Sequence, residues 1–179
     1  TAWQALIETA QVSAGQTVLI HGAAGGVGHI AVQLAHWRGA TVIGTASRHV
    51  DMLRELKVDE IINYATTPFE SVVHDVDVVI DTIGGDTQAR SWAVLKRGGI
   101  LVSTIQAPDA ETAASHGVRA AMVYSSPPIG PTLTQVAALV DGGQLRPIVS
   151  TVLPLSEIRQ AHVQIEGKHV AGKLVLQVA

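Results

Sequence analysis

The residues best suited to chemistry in this chain are those that could hold a phosphorylated nucleotide. His21-Gly-Ala-Ala-Gly-Gly-Val-Gly28 lies between an apolar run, Thr17-Val-Leu-Ile20, and a helical pattern, His29-Ile-Ala-Val-Gln-Leu-Ala-His36. Strand, glycine turn and helix in that order form a dinucleotide-binding arrangement. Glycines let the backbone approach a pyrophosphate closely. The free amides and positive dipole end of the following helix then hold the phosphate charge. Ala23 stands where the common G-x-G-x-x-G pattern has its first glycine, with Gly25 and Gly28 at the other two positions. The bland alternative is a glycine-rich turn that holds no ligand.

The stretch Thr45-Ala-Ser-Arg-His49 bears on which nucleotide. NAD sites usually carry a carboxylate about 20 residues beyond the glycines, on the ribose 2′-hydroxyl. Here Ser47 can donate to a 2′-phosphate and Arg48 can grip one with a planar fork, which favours NADPH over NADH. The alternative is that Ser47 only caps the next helix and Arg48 is solvated. Downstream, Asp81-Thr-Ile-Gly-Gly85 and Ser103 to Gln106 end two further strand patterns and could approach the nicotinamide end. Asp81 reads equally as a turn cap. No Ser-His-Asp set or paired carboxylates suited to catalysis occur, and Asp75 and Asp77 read as a solvated turn. No catalytic residue is assigned.

Composition narrows the class. The chain has 179 residues, 47% hydrophobic and 15% charged, a formal net charge of -3 and no cysteine. That describes a globular protein with neither disulfides nor thiolate metal sites, and it argues against a surface that neutralises nucleic-acid phosphates. The 8 histidines are scattered, with His162 and His169 the nearest to a cluster. No apolar run reaches membrane-spanning length. The expectation is a soluble, cytoplasmic protein with neither nucleic-acid nor membrane partners. The first residue is not methionine, and the chain opens inside a helical pattern, as either a processed protein or a piece of a longer one would.

Periodicity places these residues. A helix over Ala2 to Ala10 leads to strands at Thr17–Ile20, Thr41–Thr45, Glu60–Asn63, Asp77–Asp81, Ile100–Thr104 and Val118–Tyr124. Between them come helices at about Gly26–Trp37, Val50–Leu56, Phe69–His74, Gly84–Leu95 (stopped by Gly98-Gly99) and Ala110–Ser115, with a proline loop around Pro127-Pro128 and a helix at Leu133–Asp141 beyond the sixth strand. The alternation predicts an α/β fold, a doubly wound parallel sheet (Rossmann) with six core strands in order 3-2-1-4-5-6 and a ligand crevice at their carboxyl ends. Two extra C-terminal strands, Arg146–Leu153 and Gly172–Val178, with a helix from Ser156 between them, do not fit that sheet. The division is a dinucleotide-binding domain over 1–145 and a C-terminal tail over 146–179.

Ala23-Ala-Gly-Gly-Val-Gly28, Ile62-Asn-Tyr64, Asp81-Thr-Ile-Gly84 and the ending Val170-Ala-Gly-Lys-Leu-Val-Leu176 resemble the medium-chain dehydrogenase/reductase superfamily, and within it the zinc-independent, NADPH-dependent quinone oxidoreductase-like branch. The resemblance covers essentially the whole chain. It implies a missing N-terminal catalytic domain that the tail would complete, and a fragment that binds cofactor with little activity alone. It implies that Ala24, Gly25, Gly26 and Val27 hold the pyrophosphate, Ser47 and Arg48 the 2′-phosphate, and that Tyr64 lies near the adenosine end unless it merely packs. Thr82, Ile83, Gly84 and Ile105 would line the nicotinamide side. The substrate would be a quinone or enone, without zinc. The apolar sixth strand would pair across a two-fold axis in a homodimer. Related readings are an enoyl reductase module of a synthase and a non-catalytic nucleotide sensor or scaffold. In two places the chain departs from the branch. The loop after the second strand is short and lacks the phosphate-binding lysine common there, and Lys57 stands where a glycine usually ends a helix, which suggests a local rearrangement.

Overall fold

Side chains on the central strands alternate between two faces, and each face is buried. Val18, Ile20, Val78, Ile80, Ile100 and Val102 pack into one core with Ala31, Leu34, Ala35 and Leu53. Leu19, Val79 and Leu101 pack into a second core with Phe69, Trp92 and Val94. Strands buried on both faces read as near-continuous branched runs, which is the mark of a parallel sheet covered by helices on each side.

The computed structural model describes residues 1–124, 130–167 and 170–178. The expected loop at Pro127-Pro128 and the expected placement of His169 lie outside them. Six strands, β1 (Thr17–Ile20), β2 (Thr41–Thr45), β3 (Glu60–Ile62), β4 (Val76–Asp81), β5 (Leu95–Ser103) and β6 (Arg119–Met122), form one sheet in the order β3-β2-β1-β4-β5-β6. All its ladders are parallel. The helices are α1 (Gly28–Trp37), α2 (Val50–Glu55), α3 (Gly85–Ser91), α4 (Ala110–Ser115), α5 (Gly130–Asp141) and α6 (Ile158–Glu166). β7 (Val149–Pro154) and β8 (Lys173–Gln177) make a separate parallel pair. The sheet order and the two surplus strands agree with the sequence expectation.

Four local details differ. The first helix is wider than an α-helix, with Gln4–Thr9 in π-helical register. Trp37, expected on the apolar face of α1, is 41% exposed and stacks on Trp3, while Ala31, Val32, Leu34 and Ala35 form the buried stripe. The helix expected to reach Leu95 stops at Ser91, and a 3₁₀ turn over Trp92–Val94 delivers the chain into β5 three residues before the glycine pair. Leu95 pairs with Val76, and the register shifts before Val78 meets Ile100, so Gly98-Gly99 interrupts a strand instead of ending a helix. The sixth strand is shorter than Val118–Tyr124.

Lys57 keeps a glycine's geometry. Its φ is 59°, in the left-handed region. Its amide donates to Arg54 O at 2.9 Å and the Val58 amide to Leu53 O at 3.0 Å, which closes α2 in a Schellman turn. The lysine thus takes the strained conformation without the rearrangement the sequence suggested. A side chain there costs about 1–2 kcal/mol, partly offset by the extra unfolded-state freedom of glycine. Lys57→Gly is expected to raise stability by about 0.5–1 kcal/mol, read as a higher urea midpoint at unchanged slope.

Candidate cofactor-binding site

At the crevice where β1 and β4 diverge lies a cleft of about 640 Å³, a size ordinary for small-molecule sites. Five crossover turns and the C-terminal segment build it. The turn from β1 into α1 supplies Gly22 and Ala24, Gly25, Gly26 and Val27. The end of β2 supplies Thr45 to His49, including Ser47 and Arg48. Tyr64 follows β3, Thr82 and Ile83 follow β4, and Thr104 and Ile105 follow β5. The structure therefore brings together ten of the eleven residues singled out from sequence, and it does not bring Gly84 to the lining. Gly84 sits behind Ile105: a Cβ there would lie 3.2 Å from Ile105 Cγ2, and its amide is spent on Asp81 Oδ1 at 2.8 Å.

The geometry fits a dinucleotide in four respects. Gly22 takes the turn's left-handed conformation (φ 65°), so the sharp bend falls one residue before Ala23, which is instead buried against β2. Among the described residues the amides of Gly26 and Val27 have no acceptor on the chain, and they sit at the N-terminus of α1. Among the described residues no lining residue is acidic, whereas Arg48 and Lys173 are cationic. Tyr64, Ile83 and Ile105 are each more than half exposed into or beside the cleft, so apolar surface is offered at both ends. Ser47 does not cap α2, whose N-cap His49 makes no side-chain cap bond; it donates to the Tyr64 hydroxyl at 2.8 Å. That bond joins the two residues expected at the 2′-phosphate and adenosine end.

Beneath the cleft lies a polar floor that does no visible chemistry. Asp81 is wholly buried and accepts from the amides of Ile83 and Gly84, from Gln88 Nε2 and from Ser103 Oγ, all at 2.8–2.9 Å. It caps its turn and has no face to a ligand. His21 is 1% exposed, with Nε2 2.9 Å from Ser91 Oγ and Nδ1 3.2 Å from Thr45 Oγ1. The Ser91 hydroxyl donates to Thr87 O at 2.6 Å, so it accepts from His21 Nε2–H, and Nδ1 accepts from Thr45. The ring is neutral in this network. Asp77 is not a solvated turn residue as expected: it accepts from the Thr17 amide at 2.8 Å and pairs with Lys96.

A family model for zinc-binding dehydrogenases matches residues 56–176. The chain belongs to the medium-chain dehydrogenase/reductase superfamily. Within it the chain is quinone oxidoreductase-like. It is similar to a solved quinone oxidoreductase from Coxiella burnetii, with 39% identity and a TM-score of 0.92 over 100% of this chain and 57% of that one. A 2-haloacrylate reductase from Burkholderia is 33% identical over 98% of this chain and 60% of its own length. A Danio rerio NAD(P)H oxidoreductase, named mitochondrial, is 29% identical over 99% of this chain and 54% of its own. The chain thus spans little more than half the length of these members of the superfamily. Among the described residues, no cluster of three or more His, Asp or Glu side chains could hold a metal, and no helix is long and apolar enough to cross a membrane.

Sequence reasoning missed the contribution of the C-terminal segment, where Ile165, Val170 and Lys173 complete the lining. Val170 and Lys173 stand in the family-like ending but were not read as lining; Ile165 is carried there by α6 and Lys173 by the start of β8. It also missed the coupling of His21 to the floor. Burial holds the His21 pKa down to about 4 from 6.5. As pH falls the unfolded chain takes up the proton first, so the stability from neutral His21 is complete above about pH 6.5 and is lost toward pH 4, by about 3 kcal/mol in all. His29 shifts the same way, chiefly by burial, against a raising hydrogen bond to Gly25 O. Urea midpoints are expected to fall between pH 6.5 and 4.5, and His21→Asn to flatten part of that fall while lowering stability at pH 7. An unchanged pH slope in the variant would remove His21 as a cause.

Proposed function

We propose that this cleft binds NADPH for an oxidoreductase whose substrate is a quinone or an enone. The observation that carries the reading is a cleft free of carboxylates whose far end presents Ser47 and Arg48 together. When bound, NADPH supplies the hydride. The chain's own residues hold and orient it: the Gly25–Val27 turn at the pyrophosphate, Ser47 and Arg48 at the 2′-phosphate, and Tyr64 at the adenosine. Thr82, Ile83 and Ile105 flank the nicotinamide, with Gly84 behind them shaping the turn. The names of the similar proteins, which specify a quinone and a haloacrylate, support the substrate class. The zinc-independent assignment rests on the resemblance to that branch.

The same reading divides the chain into a dinucleotide-binding domain over 1–145 and a tail over 146–179 that completes a catalytic domain. Its support is the apolar surface of the tail: Val149, Val152, Leu155, Ile158, Val163 and Val178 are all exposed. This chain alone would then hold cofactor with little turnover. β6 ends the sheet with one described neighbour, β5, and pairing of that edge with a second copy would close it. Sedimentation equilibrium is expected to give twice the chain mass; a monomer at all concentrations would refute the dimer. For the cofactor, calorimetric titration is expected to show NADPH binding more tightly than NADH. Arg48→Ala should weaken NADPH about tenfold or more and leave NADH unchanged, as expected for loss of a charge-assisted bond. Equal affinities unaffected by the substitution would overturn the 2′-phosphate assignment.

A further inference from the structure

Gly44 is a buried glycine inside β2, paired with Ile20 of β1 on one side and Ile61 of β3 on the other. Such a position ordinarily carries a branched side chain, and a glycine there marks a close approach by another part of the chain. Its backbone is not in the left-handed region, so space and not conformation calls for glycine. A Cβ built on Gly44 would lie 2.9 Å from Ala23 Cβ, well inside the contact distance of about 3.5–4.0 Å between carbon atoms. The Ala23 methyl group therefore fills the space that a side chain at position 44 would take. Resting on the cofactor reading above, we propose that Gly44 is a positioning residue. Seated against Ala23, it sets the distance between the glycine turn and the end of β2, and so between the pyrophosphate and 2′-phosphate ends of the site.

The contact stands at the root of two lining segments. Ala24 to Val27 follow Ala23, Thr45 to His49 follow Gly44, and both runs line the cleft. Hydrogen bonds join the two chains at this level and leave little slack. The Ala23 amide donates to Thr45 O at 3.1 Å, and the Gly22 amide to Thr45 Oγ1 at 3.3 Å. On the far side the Ala46 amide donates to Ile62 O at 3.0 Å, so β2 cannot retreat without parting from β3. The same Cβ would meet Val58 Cγ1 at 3.3 Å and Leu53 Cδ1 at 3.9 Å. Those are side-chain ends, which a small rotation moves. The Ala23 methyl group is fixed to its backbone, so a side chain at position 44 must push the turn away from the strand end.

The pair also accounts for the alanine at the first position of the glycine pattern. Ala23 is accommodated because position 44 carries no side chain, and one methyl group fills the space between turn and strand. The converse pair, glycine at 23 with alanine at 44, fills the same space from the other side. A site must hold its groups within about 0.5 Å of the productive geometry. A ligand that touches one end of the cleft can follow that end when it shifts. A ligand that spans both ends cannot. NADPH spans the turn and the end of β2, whereas adenosine 2′-monophosphate reaches only the end of β2.

Calorimetry on the full chain tests this, with circular dichroism establishing that each variant is folded. Gly44→Ala is expected to weaken NADPH about tenfold and to leave adenosine 2′-monophosphate within about threefold of the parent. The double variant Ala23→Gly/Gly44→Ala, which moves the methyl group from turn to strand, should return NADPH to within about threefold of the parent. A plain loss of stability would depress both ligands together. Parent-like NADPH binding by Gly44→Ala, an equal loss for both ligands, or a loss that persists in the double variant would each overturn the proposal and leave the cofactor reading intact. Should Gly44→Ala not fold, the double variant decides: NADPH binding near that of the parent supports the shared space, and a tenfold loss or a failure to fold overturns it. An unchanged chain that binds neither NADPH nor NADH would overturn both readings.

Discussion

The contact on which the rest of this structure depends is the one between the start of α1 and the turn that feeds it. A Cβ on Gly28 would stand 2.2 Å from Gly22 O and 2.7 Å from Ala23 Cα. Helix and strand end approach to backbone distance because that position carries no side chain. The consequence is electrostatic as well as steric: the amides that begin the helix are delivered to the mouth of the β1/β4 crevice, where no backbone acceptor of the described chain competes for them. A helix set farther out to accommodate a methyl group would carry its N-terminus away from the cleft. His29 and Gln33, one turn apart on α1, would then lose their hold on the C-terminal segment.

The floor under that turn is polar and buried, and it stays in place because every group in it is satisfied. Asp81 receives four donors and His21 two partners, and the Thr82 hydroxyl ties β4 back to His21 O at 2.8 Å. A buried carboxylate or imidazole without such partners would cost several kcal/mol. With them, the ends of β1, β2, β4 and β5 are held at fixed spacing. This division of labour also explains why the most strongly perturbed histidine near the cleft is not a catalytic candidate: its ring atoms are committed, and the groups open to a ligand are backbone amides, Ser47, Arg48 and Lys173.

How much could be read from the chain follows from how local each signal is. β1, the glycine turn and α1 are contiguous, and each imposes its own periodicity, so the sheet order and the strand-turn-helix unit were legible. Ser47 and Arg48 follow directly from the end of a strand. The start of β5 was not legible, because the helical pattern runs on to Leu95 and only the pairing of Leu95 with Val76 across the sheet makes it a strand residue. Gly84 was read as lining because it follows the same strand as Thr82 and Ile83; the demand of Asp81 for its amide turns it away. Lys173 was quoted only within the family-like ending and was not read as lining the cleft. Its placement depends on a strand register set more than a hundred residues from the turn it covers.

That last case shows why the two sheets cannot be treated as independent units. A two-stranded pair is marginal by itself in water, and β7 and β8 have no fully buried side chain in either strand. What fixes them within this chain is a main-chain hydrogen bond to the glycine turn and bonds from the His29 and Gln33 side chains of α1 to the backbone before β7, with Leu145 and Ala171 buried at the junctions. The stability of the pair and the shape of the cleft beside the glycine turn are consequently one property. Disturbing the pair would move a cation as well as a strand.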